Sequence, residues 1–198
     1  MASGSMLSVI IATNESERPL VRTLAALVPG AAAGLIREVI VSDAGSRDDT
    51  AAVADVAGCD VMVASGSVGG RLKQAAERAK APWLLFLRPG TVPDADWIGE
   101  VRAFMDEAER QGIADRRAAT FRPAPLLGDR RSALMEGLAL IATALHPAAR
   151  SGRGLLIAKR FYDAAGGHRD IDHAEQKLLR RLGRRGVVML GSAATAPQ

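Results

Sequence analysis

The sequence predicts an α/β protein, with a mixed, mostly parallel central sheet flanked by helices. Apolar runs of strand length alternate with helical repeats through the first 111 residues, the pattern of an open α/β sheet. The runs are continuous, as in strands buried on both faces of a parallel sheet. Several of them end in turns of small or polar residues, and open α/β sheets bind ligands outside the carboxyl ends of their strands. The stretch Val39 to Thr50, V-I-V-S-D-A-G-S-R-D-D-T, combines these features. Its apolar run leads into Ser42 and Asp43, a small-residue turn follows, and Asp48-Asp49-Thr50 open a helix. Asp43 at that strand end suits a carboxylate accepting from a base or ribose. Asp43 and Ser46 suit the capping of the next helix equally well.

Taken in order, Leu7 to Ala12 is the first buried strand, and Thr13, Asn14, Glu15 and Ser16 form a polar turn. Leu20, Leu24 and Leu27 repeat at helical spacing, and Pro29-Gly30 is expected to stop that helix. A second strand starts at Ile36, a helix covers Asp48 to Ala57, and Asp60 to Ala64 is a short third strand. Gly66 to Arg71 (G-S-V-G-G-R) reads as a glycine-rich loop before a helix from Leu72 to Ala79. Glycines there let backbone N–H groups approach a phosphate, with Arg71 or Lys73 adding charge. Pro82 to Leu87 is the most apolar strand and ends in Arg88-Pro89-Gly90-Thr91. Asp94 to Gln111 is an amphipathic helix burying Trp97, Val101, Phe104 and Met105. Beyond it, strands are expected at 118–121, 154–158 and 187–190, and helices at 132–145, 160–165 and 173–182. The helix at 132–145 is too short to span a bilayer and suits the core or a membrane surface.

The length fits one domain over residues 1–198, with residues 1–6 read as an expression-tag remnant. No apolar run approaches the roughly 20 residues of a membrane span. Cys59 is alone, so no disulfide framework exists and a cytoplasmic location is expected. Residues 1–100 hold nine basic and twelve acidic side chains, and residues 101–198 seventeen and ten. The basic half suits phosphates or an anionic lipid surface, and so peripheral contact with the inner face of a membrane. Aromatics are only 4% of the chain, so nucleic-acid binding by base stacking is not expected.

Five motifs in order resemble family 2 glycosyltransferases of the GT-A fold, over nearly the whole chain from Leu7 to Leu190. S-V-I-I-A-T-N-E at Ser8 to Glu15 is similar to the family's S-V-I-I-P-T-x-N-E. Asp43, Gly45, Ser46, Asp48 and Thr50 match its V-V-D-G-G-S-x-D-x-T. P-W-L-L-F-L-R-P-G-T stands where the family has L-L-F-L-x-A-D-T. Gly154 to Gly167 is very like G-x-x-x-x-R-R-x-x-F-x-x-x-G-G, and Ala174 to Gly183 stands where the family has E-D-x-D-L-x-x-R-L-x-x-x-G. The resemblance implies transfer of a sugar from a nucleotide-sugar donor to a saccharide or lipid-linked acceptor. It implies that Thr13 and Glu15 line the nucleotide pocket with Ser46, that Asp43 accepts from the base, and that Gly70 and Arg71 lie near the donor. Glu175 takes the place of the general base of inverting members, with Asp172 or His173 as substitutes. As a helix-start carboxylate, Glu175 is equally well explained by the helix dipole.

The resemblance allows a divalent Mg²⁺ or Mn²⁺, but the family's metal-binding carboxylate falls at Gly90, which has no side chain to offer it. Arg88, two residues earlier, is expected to replace the metal as a clamp on the diphosphate, with Arg71. Ala174 replaces the first carboxylate of the acidic pair, and Arg153 in the preceding turn suits an anionic acceptor. The alternative is a catalytically inactive glycosyltransferase-like domain that binds a nucleotide or a partner. A nucleotidyltransferase would carry a glycine- and lysine-rich phosphate signature, which is lacking.

Overall fold

The computed structural model describes residues 6–124 and 152–195. The expected helix at 132–145, the tag-like residues 1–5 and Ser151 lie outside the described residues. Eight strands form one sheet in the order β3-β2-β1-β4-β7-β6-β8-β5: β1 (Leu7–Thr13), β2 (Ile36–Asp43), β3 (Asp60–Val63), β4 (Trp83–Leu87), β5 (Val92–Pro93), β6 (Ala118–Pro123), β7 (Leu155–Ala158) and β8 (Val187–Thr195). β1 to β4 are mutually parallel, whereas β7 runs antiparallel to both β4 and β6. The mixed, mostly parallel sheet is therefore parallel in its first half and mixed in its second.

The continuous apolar runs have the cause expected of them. Val9, Ile11, Leu85 and Leu87 face α1 (Glu17–Ala32) and α4 (Trp97–Arg110), while Ile10, Leu84 and Phe86 face the opposite layer. That layer is α3 (Val68–Arg78), α5 (Lys159–Ala164) and α6 (Ala174–Gly186); a short α2 (Thr50–Val56) joins β2 to β3. Successive strand residues point to opposite faces, so a strand covered on both sides is apolar at most positions, and the buried Ser8 of β1 is accommodated by donating to Glu38 at 2.6 Å.

Three boundaries differ from expectation. Pro29 does not stop α1, which continues to Ala32. One missing N–H near a helix end costs little, and Gly30 packs so closely under Trp97 that an added Cβ would stand 2.5 Å from its ring. The chain instead reverses at Gly34, with Leu35 N–H donating to the Gly30 carbonyl. The glycine-rich segment is helix rather than loop: Ser67 caps α3, accepting from Gly70 N–H at 3.1 Å. The last strand runs on to Thr195, because β8 pairs with β6 along its length and with β5 at its end.

Candidate functional site

The carboxyl ends of β1 and β4 open into a cleft of about 480 Å³, within the usual size of a small-molecule site. Its walls come from the turn after β1, the start of α3, the turn after β4 and the start of α6.

The first wall begins with the strand register, which sets Thr13 beside Asp43 at the ends of β1 and β2. Asp43 is 1% exposed and accepts from the Thr13 hydroxyl (2.7 Å), the Ser46 hydroxyl (2.6 Å), Gly45 N–H (2.8 Å) and Ser46 N–H (2.7 Å). These donors hold its carboxyl below the usual range against the opposing effect of burial. A carboxylate has about four acceptor positions. Thr13 and its own turn supply all four donors, so Asp43 shapes this corner. The turn is knit further from Glu15, whose backbone is left-handed at φ 47. Glu15 N–H donates to Ser46 Oγ, and its side chain accepts from Arg47 N–H. Asp48 and Thr50, matched for their place in the motif, hold the start of α1 by accepting from the N–H groups of Glu17 and Ser16. Thr13 lines the cleft, as do Asn14 and Ser16; Glu15, Asp43 and Ser46 stand behind it.

Arg71 enters from α3 and is 3% exposed. Its Nη1 donates to the carbonyls of Thr13 (2.8 Å) and Ser42 (2.6 Å), tying together the ends of β1 and β2. Its Nε has no hydrogen-bond partner, and the side chain lines the cleft. Gly69 and Gly70 serve a close approach. A Cβ on Gly69 would stand 1.9 Å from the Arg169 carbonyl, and one on Gly70 2.5 Å from an Asp170 oxygen. These glycines let α3 press against the 169–171 segment, and Gly70 does not line the cleft.

On the second wall, Arg88 Nη2 meets Glu175 Oε2 at 2.9 Å, joining the end of β4 to the first turn of α6. The Glu175 side chain is 14% exposed and that of Arg88 52%. The other Glu175 oxygen accepts from Gly152 N–H at 3.1 Å. The two residues expected to clamp the diphosphate and deprotonate the acceptor are thus partners of each other. Asp172 and His173 line the cleft beside them, whereas Arg153 does not. Burial lowers the Arg153 pKa, and its Nη1 has no hydrogen-bond partner.

The position expected to bear a metal ligand is Gly90, at φ 90, where an L side chain is strained. Its N–H is held by the Pro19 carbonyl and the Thr23 hydroxyl. Among the described residues no three His, Cys, Asp or Glu side chains gather as a metal-holding group. With a backbone turn in place of a carboxylate, and Glu175 engaged by Arg88, the described residues of the cleft offer no donor set that fits a divalent cation.

One cleft residue escaped the sequence reading. His168, directly after Gly166-Gly167, is 1% exposed and lines the cleft. Gly167 has φ 61, and a Cβ there would meet the Tyr162 ring at 2.9 Å. Arg181 braces this turn by donating to the carbonyls of Ala165 and Gly167. A histidine after two glycines, six residues from a tyrosine, was the only available signal. The motif's basic pair has a structural use: Lys159 Nζ caps α3 at the Ala79 carbonyl (2.6 Å), and Arg160 pairs with Glu109 at 2.6 Å.

Comparison with known proteins gives two findings. The family model described as glycosyl transferase family 2 matches residues 8–171, ending ahead of Asp172 and Glu175. The fold is similar to glucosyl-3-phosphoglycerate synthase from Mycobacterium tuberculosis in complex with Mn²⁺, UDP and glucosyl-3-phosphoglycerate. The TM-score is 0.69 at 18% identity, covering 99% of this chain and 73% of that one. It is also similar to S. aureus TarS in complex with UDP-GlcNAc, with TM-score 0.71 at 16% identity, covering 98% of this chain and 58% of that one. No curated protein matches by sequence.

Proposed function

The chain belongs to glycosyl transferase family 2 and has the GT-A fold, and from that premise we propose that it moves a sugar from a nucleotide-sugar donor to an acceptor hydroxyl. The observation that carries the reading is the Arg88–Glu175 pair on the wall of a cleft at the strands' carboxyl ends. In this reading the nucleoside sits against the Thr13–Ser16 turn, whose shape Asp43 and Ser46 maintain. Arg88 swings from Glu175 to the diphosphate, taking the place of a metal. Arg71, with its Nη1 committed to two carbonyls, adds charge from below.

The same movement releases the Glu175 carboxylate to act as base. It removes the acceptor's hydroxyl proton while that oxygen attacks the anomeric carbon from the face opposite the diphosphate. The bond from the anomeric carbon to the diphosphate oxygen breaks, its electron pair leaves with the phosphate, and the sugar inverts. No step passes through a divalent cation. The acceptor we propose is a saccharide or lipid-linked hydroxyl compound. Phosphoglyceric acid, held by the Mycobacterium tuberculosis synthase, adds small anionic acceptors to the classes to be tried.

A second reading is a nucleotide-binding module without turnover, favoured by Glu175 being neutralised by Arg88. Thermal melting with UDP and GDP, with and without Mn²⁺, tests both readings. Stabilisation without metal is expected, lost in Arg88→Ala, and release of nucleoside diphosphate from a donor with acceptor present selects the enzyme. Turnover that needs Mn²⁺ and survives Arg88→Ala overturns the clamp.

A further inference from the structure

His168 is held in one orientation and one protonation pattern. Its backbone N–H donates to the Tyr162 hydroxyl oxygen at 3.0 Å. Among the described residues the buried hydroxyl has no other acceptor for its own proton than His168 Nδ1, 2.9 Å away. Nδ1 is therefore an acceptor, and a neutral ring with Nδ1 accepting carries its proton on Nε2. Burial, aided by the Arg181 charge, pushes the His168 pKa down to about 3, so the ring is neutral in ordinary buffers. Phe86 packs edge-on at 4.7 Å between ring centroids, fixing the plane. Tyr162 does not line the cleft but His168 does. Nδ1 is thus engaged by a residue outside the cleft lining, while Nε2, itself buried, has no hydrogen-bond partner.

A buried N–H without a partner, on a residue that lines a ligand cleft, asks for an acceptor oxygen. The neighbours narrow the choice. Arg71 Nε, also without a partner, and the Arg88 guanidinium line the same cleft, and both are donors only. We propose that His168 contacts the substrate, its Nε2–H donating to an anionic oxygen, phosphate or carboxylate, of the molecule bound in the cleft. Tyr162 is then a positioning residue that keeps this donor in place. The proposal rests on the reading of the cleft as the donor and acceptor site.

The test is nitrogen NMR on histidine-labelled protein, with UDP, uridine and phosphoglyceric acid as probes. In the protein without ligand, His168 is expected to show an unprotonated Nδ1 and a protonated Nε2. A probe that carries the accepting oxygen shifts Nε2–H and binds His168→Phe about tenfold more weakly, the loss of one hydrogen bond to a charged group. A response to UDP but not uridine places the oxygen on the diphosphate, and a response to phosphoglyceric acid places it on the acceptor. Tyr162→Phe keeps the histidine but releases the tautomer, and the Nε2–H signal of the protein without ligand is expected to weaken. A protonated Nδ1 in the wild type overturns the proposal, with no need for a folded His168→Phe. So does UDP binding with Nε2 unmoved and affinity unchanged in the variant, which leaves the nucleotide reading standing. Failure of wild type to bind any of the anions removes both.

Discussion

The two walls of the cleft are finished to different degrees. Around β1 and β2, each Asp43 oxygen is matched by donors from its own turn, and Thr13, Ser46, Asp48 and Thr50 close a network that needs no ligand. Across the cleft, Arg88 and Glu175 pair with each other, and His168 Nε2 is buried without a partner. A satisfied network rigidifies a corner, whereas an unsatisfied buried donor costs free energy until something accepts from it. The first wall therefore supplies shape and the second supplies the groups that a substrate would change.

Substitutions can break this contrast. The largest effect is expected at Glu175. Glu175→Gln keeps size and loses the base, so kcat should fall by about 10²–10⁴-fold while nucleotide affinity holds. A similar loss of affinity would put Glu175 in binding instead. Asp43→Ala should act on folding, because it leaves two backbone N–H groups and two hydroxyls of a buried turn without their acceptor. Urea denaturation should show a loss of about 3–5 kcal/mol, and a loss under 1 kcal/mol would mean that the corner is not built on this residue.

The most gradual effect concerns pH. The His168 pKa is about 3 when folded against an ordinary 6.5, so between those values the unfolded chain binds the extra proton. Stability is then fully present above about pH 6.5 and declines as pH falls towards 3, by up to about 1.4 kcal/mol per pH unit. Asp43, with its lowered pKa, loses stability in the same direction at lower pH. Comparing stability-against-pH curves of wild type and His168→Phe separates the two, since only the histidine contribution vanishes in the variant. Parallel curves above pH 4 would show that His168 is protonated in the folded protein.

Much of the first wall was legible in the sequence because its contacts are short-range or fixed by strand register. A turn such as D-A-G-S announces itself through residues three positions apart, and β1 beside β2 follows from an apolar run, a helix and another apolar run. What Asp43 does there was less legible, since the same residues cap a turn or contact a ligand, and the four hydrogen bonds it accepts come partly from Thr13, 30 residues away. The second wall depends on residues 87 positions apart, as with Arg88 and Glu175. No local pattern announces that a clamp and a base will pair. The glycines before Arg71 misled for a related reason: their lack of side chains answers to the backbone at 169–171, about a hundred residues away.

That contact has a consequence for how the protein is made. Gly69 N–H donates to the Ile171 carbonyl at 3.2 Å and Ser67 Oγ donates to Asp170 at 2.6 Å, latching the start of α3 to the segment between His168 and Asp172. During synthesis the β1-to-β4 half leaves the ribosome with its own turns complete, yet the partner of this latch is translated much later. Closing so long a loop is slow compared with forming local turns. The cleft is therefore a late product of folding. A nascent chain halted before residue 168 would carry the Asp43 corner with one flank of α3 exposed, a surface for chaperones to recognise.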